Sequence, residues 1–182
     1  LAIFGLGDSL LVQGDVGNAP WTVFSQGLTY KTGLSIGWAT FFISIFVLLI
    51  WIPLNEKPGF GTLSNIVLIA AFIEIGTHIF PKQTSTVAGV IFAIIGIAMV
   101  GLGSALYITC GLGPGPRDGA MTGLHQRTGV RVGRVRLGLE VLVSIAGALL
   151  GGTLGLGTLL LALLIGQSVA ISFGVLARLT SK

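Results

Sequence analysis

The chain has 182 residues, 53% of them hydrophobic and 9% charged, with a net charge of +4, and its mean hydropathy is +0.97. A soluble domain carries roughly 25% charged residues, so water is excluded as the solvent for most of this surface. A pI of about 9.7 fits basic cytoplasmic loops of a membrane protein rather than a nucleic-acid partner.

In chain order, an apolar helix opens at Leu1 and carries Asp8 between Gly7 and Ser9. It lacks the basic start and small-residue cleavage site of a signal peptide, and its true beginning is expected ahead of Leu1. A break at Gly17–Asn18 follows. Pro20 then sits in the first turn of a short helix, capped by Asn18 or Ala19, which Thr32-Gly33 ends. Two apolar runs follow, Gly33–Pro53 and Gly61–Phe80, the second holding Glu74. Thr86–Thr109 is a third, ending at the lone Cys110, which has no disulfide partner in the chain.

The stretch "LGPGPRDG" (Leu112–Gly119) interrupts the apolar sequence with two prolines and three glycines. It opens a second short helix from Pro116 to Gly129, with Arg117, Asp118, His125 and Arg127 along it. Val135–Gly151, holding Glu140, and Gly155–Leu176 complete the apolar runs, each near the ~20 residues that cross a bilayer core of about 30 Å.

Sliding the chain by 96 positions matches it to itself. Gly5-Leu6-Gly7 falls on Gly101-Leu102-Gly103, Gly17 on Gly113, Pro20 on Pro116, and "GFGTL" (Gly59–Leu63) on "GLGTL" (Gly155–Leu159). Eight of the ten glycines before residue 81 land on a glycine, where chance gives one or two, so the halves 1–85 and 86–182 are expected to share a backbone.

The expected fold is an all-α membrane protein of two tandem repeats. Each has three spans and one short re-entrant helix of about 12 residues, or about 18 Å at 1.5 Å per residue, too short to cross. An Arg or Asp at mid-bilayer costs about 2.5–3.5 kcal/mol, which also keeps the second short helix out of lipid. Three spans per half make the repeat inverted; four would make it parallel. The positive-inside rule does not separate the two, because six spans place Lys57, Arg117, Arg127, Arg131, Arg134, Arg136, Arg178 and Lys182 against Lys31 and Lys82, and eight spans give the same ratio. Both put the termini in the cytoplasm.

"VGNAPWTVFSQGLTYKTGLSIG" (Val16–Gly37) and "PLNEKPGFGTLSN" (Pro53–Asn65) resemble the YczE branch of the YczE/YitT-type bacterial membrane proteins, over nearly the whole chain. The resemblance implies a bacterial cytoplasmic-membrane location and several spans. It brings no catalytic residues, and Trp21 stands where the second half has Arg117.

Paired short helices with inward N-termini make anion sites in transporters. A substrate site is therefore expected where Asn18, Pro20 and Trp21 meet Gly113, Pro116, Arg117 and Asp118, for a small anionic or zwitterionic solute. Asp8 and Glu74 are the intramembrane acids open to a coupling role, and Glu140 is expected to pair with Arg136 one turn earlier. Arg127, Arg131 and Arg134 share a helix face suited to anionic lipid. The face Gly147–Gly151–Gly155 leaves internal packing or a homo-oligomer open.

Enzyme chemistry has no support: His78 and His125 lack a partner at metal-ligand spacing, and "GLGPGP" and "GLGDS" lack a preceding strand and a P-loop lysine. No metal or cofactor is expected. A channel with a mid-membrane constriction and a non-transporting scaffold that binds lipid or a partner are the alternatives to a carrier.

Overall fold

The computed structural model describes residues 1–180; Lys182 lies outside them. Eight helices follow one another, and the described residues include no strand. They are α1 (Ala2–Gly14), α2 (Pro20–Thr32), α3 (Ile36–Leu54), α4 (Phe60–Ile79), α5 (Thr86–Thr109), α6 (Pro116–Thr128), α7 (Val132–Leu149) and α8 (Leu156–Thr180). By length and composition α3, α4, α5 and α8 suffice to cross a membrane. The 13-residue α1 is apolar but shorter, and α7 carries Arg134, Arg136 and Glu140 within its 18 residues.

The punctuation fixes the short helices. Pro20 and Pro116 occupy the first turns, where a missing N–H costs nothing. Gly33 and Gly129 end them at φ 74° and 69°, each N–H donating at 2.9 Å to a carbonyl in the last turn. The cap of α2 is Ala19 rather than Asn18, with no side-chain cap bond.

At the centre α1 and α5 run antiparallel. A Cβ on Gly7 would lie 2.8 Å from the Gly96 carbonyl oxygen, one on Gly14 2.9 Å from that of Gly89, and one on Gly103 2.7 Å from the Phe4 nitrogen. Small residues bring the backbones into contact, and dispersion can then act where lipid offers no hydrophobic drive. Leu11, Ala93 and Ile97 are buried around this seam.

Around it α4 packs on α1 and α8 on α5, while α2 lies against α7 and α6 against α3. Trp51 of α3, 1% exposed, donates its indole N–H to the Pro116 carbonyl at 2.8 Å. The starts of α4 and α8 are held by loops distant in sequence. The Gly61 N–H and Thr62 Oγ1 at the start of α4 donate to the carbonyls of Leu112 and Pro114, at 2.8 and 2.7 Å. The Gly157 N–H and Thr158 Oγ1 at the start of α8 donate to those of Val16 and Asn18, at 2.8 Å each. Amides orphaned at a helix start thus find partners in a sequence-distant loop.

Gly147 of α7 and Gly155 of the α7–α8 connection pack internally: a Cβ on Gly147 would lie 2.5 Å from the Phe24 nitrogen, and one on Gly155 would press into the Val16 carbonyl.

Candidate functional site

Both breaks turn through one glycine in the same twisted conformation, Gly17 at φ 116° and Gly113 at φ 117°, which side-chain-bearing residues rarely adopt. The turns bring the starts of α2 and α6 to a cavity of about 240 Å³ that all eight helices line. Ser44 and Glu140, midway along α3 and α7, are among the residues that line it.

Six of the expected residues meet there: Asp8, Pro20, Trp21, Pro116, Arg117 and Asp118. The Arg117 guanidinium lies over the Trp21 ring, 5.1 Å from its centroid, in cation–π geometry. Asp8, 2% exposed, accepts a hydrogen bond from Thr22 Oγ1 at 3.0 Å. Asp118 is exposed and accepts the Tyr107 hydroxyl at 2.6 Å. Arg136 and Glu140 form the expected ion pair, Nε to Oε1 at 2.9 Å, and both also line the cavity.

The other expected residues stand elsewhere. Asn18 is fully buried behind the wall and donates to Gln26 Oε1 at 3.0 Å; Gln26 Oε1 also accepts the Thr153 N–H at 2.8 Å, so Asn18 helps tie the first loop to the α7–α8 connection. Gly113 packs against Gly59 and Thr62. Glu74 caps α3, accepting the Gly37 N–H at 2.9 Å, and lies 3.9 Å from His78. Arg127, Arg131 and Arg134 are all exposed.

Tyr107, Ser44, Ser104 and Arg136 line the cavity without having been expected there, and Asn65, which the sequence leaves between an interhelical hydrogen bond and a pore lining, joins them. For two of them a signal existed: Ser104 stands 96 residues after Asp8, and Ser44 96 before Glu140. Tyr107 has no such mark, since only tertiary packing places it at α6's first turn.

Residues 1–173 match the family described as a "Family of unknown function (DUF6198)". The chain belongs to this family. It is 48% identical to an uncharacterized protein of Haemophilus influenzae over 179 residues, 98% of this chain and 82% of that protein. It is 34% identical to the Bacillus subtilis "Uncharacterized membrane protein YczE" over 174 residues, 94% and 81% of the two chains, and 27% identical to that organism's "Uncharacterized protein YyaS" over 186. The YczE resemblance read from the loop motifs therefore holds, and with four apolar helices of spanning length the chain is a multi-pass membrane protein. No solved structure matches it.

Proposed function

We propose that the chain is a carrier of a small anionic or zwitterionic solute in a bacterial cytoplasmic membrane, not an enzyme. It is built from two inverted halves, 1–85 and 86–182, and works by rocking one half against the other. In this reading each half contributes three crossing helices and one short helix, α2 or α6, that enters and returns, with both termini in the cytoplasm. Arg127, Arg131 and Arg134 then face anionic lipid headgroups.

One observation carries the reading. Sixteen of the 22 cavity-lining residues form eight pairs 96 apart in sequence, among them Asp8 with Ser104, Pro20 with Pro116, Trp21 with Arg117 and Ser44 with Glu140. A cavity lined by equivalent positions lies on the axis relating them, where repeat-built transporters bind substrate. The antiparallel course of α1 and α5, which occupy equivalent positions, supports inversion. The exchanged bonds from α4 and α8 support it too, since Gly61 to Leu112 becomes Gly157 to Val16 when both positions shift by 96.

A carrier is favoured over a channel because the two sides of the cavity are packed unequally: α3 lies along α4, whereas α7 has no comparable contact with α8.

The test is solute flux into liposomes containing the purified chain. Flux above that of empty liposomes, lowered at least tenfold by Arg117→Ala, is expected. Unchanged flux in the variant removes Arg117 from the site, and no flux of any small anion or zwitterion removes the carrier.

A further inference from the structure

Five charged side chains line the cavity: Asp8, Arg117, Asp118, Arg136 and Glu140. Two of them satisfy each other, Arg136 and Glu140 at 2.9 Å. A third, Asp118, is exposed and engaged by Tyr107. That leaves Arg117 and Asp8.

Arg117 has no carboxylate oxygen within 4.0 Å among the described residues. Its one close partner is the face of Trp21. Its five N–H donors make no hydrogen bond or ion pair among the described residues, and their fork suits a carboxylate bidentately. Asp8 has one hydrogen bond, from Thr22, on a carboxylate with about four lone-pair sites. The two charges share one cavity without bridging.

Charge decides which solute fits. Three carboxylates and two guanidinium groups surround the space, so a simple anion would satisfy Arg117 and meet repulsion from Asp8, and a simple cation the reverse. A molecule with both charges meets two complementary partners. At about 240 Å³ the cavity lies below the ~300–1,000 Å³ of drug-sized ligand sites, which limits it to a solute of few heavy atoms. The rest of the wall includes Phe4, Ile69, Val100, Leu161 and Ile165, which suits an apolar remainder.

We infer that the site binds a small α-amino-acid-like zwitterion, its carboxylate on Arg117 and its ammonium group on Asp8. This deepens the proposed carrier function and rests on the same cavity.

The experiment measures binding to the purified full chain by calorimetry, and uptake into liposomes. The probes are alanine and leucine, their carboxylate-only analogues propionate and 4-methylpentanoate, and their amine-only analogues ethylamine and 3-methylbutylamine. At least one amino acid is expected to bind ten times or more tighter than either of its analogues. Asp8→Asn is expected to reverse the order, so that the carboxylate-only analogue equals or exceeds the amino acid. An inverted selectivity is something a misfolded variant does not produce.

Equal binding of amino acid and carboxylate-only analogue to the wild-type chain overturns the zwitterion and leaves an anion carrier standing. Binding of none of the six overturns the zwitterion whatever other solute moves. The expected selectivity without uptake upholds the site and overturns the carrier.

Discussion

Helices α3 and α7 stand 96 residues apart and begin alike, yet their first turns meet different surroundings. A Cβ on Gly37, in the first turn of α3, would lie 2.7 Å from the Ala70 carbonyl oxygen and from Glu74 Cβ. One on Gly133, its counterpart in α7, meets nothing within 4 Å. Glu74 caps α3 through the Gly37 N–H, whereas Ala170 takes Glu74's place in α8 and has no side-chain oxygen to do so. One carboxylate therefore separates a clamped side from an open one. On the carrier reading, the open gap beside Arg131–Arg136 is the path to the basic, cytoplasmic face, and α3–α4 seals the other. The opposite state exchanges the two arrangements, bringing Gly133 onto α8 near Gly166 and Ala170.

The largest effect tests this directly. Gly37→Leu forces a side chain into the α3–α4 seam, and overpacking of this kind costs about 1–3 kcal/mol. Gly133→Leu enters open space and is expected to shift stability by no more than about 0.5 kcal/mol. Unfolding in detergent micelles measures both. Flux is expected to fall at least tenfold in Gly133→Leu despite its intact stability, because α7 can no longer reach α8. Full flux in that variant would mean that α7 never makes this contact.

The cap itself comes next. Glu74→Ala leaves the Gly37 N–H at the buried start of α3 without its acceptor, with an expected loss of about 1 kcal/mol. The converse change, Ala170→Glu, supplies the missing acceptor to α7. Oxidative cross-linking of cysteines placed at Leu137 and Gly166 in a Cys110→Ser background is expected to rise in Ala170→Glu and to remain low without it. Equal cross-linking in both backgrounds would show that the cap does not set the gap.

Much of this was legible because prolines and glycines act locally. Pro20, Gly33, Pro116 and Gly129 bound the short helices within a residue of where they are found, since each acts through its own backbone. The meeting of Trp21 and Arg117 was reachable from the 96-residue offset. What sequence could not supply was direction and partner. Asn18, an expected substrate contact and one of two cap candidates, turns away to Gln26, eight residues on. Glu74 reads as an intramembrane coupling group yet bonds the start of α3, 37 residues earlier. The Glu74 assignment depends on which helix lies alongside, and in nearly uniform apolar helices no residue pattern encodes the neighbour.

The smallest effect concerns the polar groups midway along the two helices. Ser44 is buried in α3 and bonds back to the Thr40 carbonyl at 2.8 Å, while Glu140 at the same level of α7 pairs with Arg136, whose side chain is 55% exposed. An exposed pair one turn apart contributes about 0.3–0.5 kcal/mol, so a double-mutant cycle with Arg136→Ala and Glu140→Gln is expected to give a coupling of that size. The cycle sharpens the comparison when repeated in Ala170→Glu. If the new carboxylate draws α7 against α8, the pair loses solvent screening, and its coupling should exceed the ~1 kcal/mol ceiling of exposed pairs. A coupling that stays the same in both backgrounds would leave α7 where it now stands, and would return the inequality of the two sides to a fixed feature of the fold.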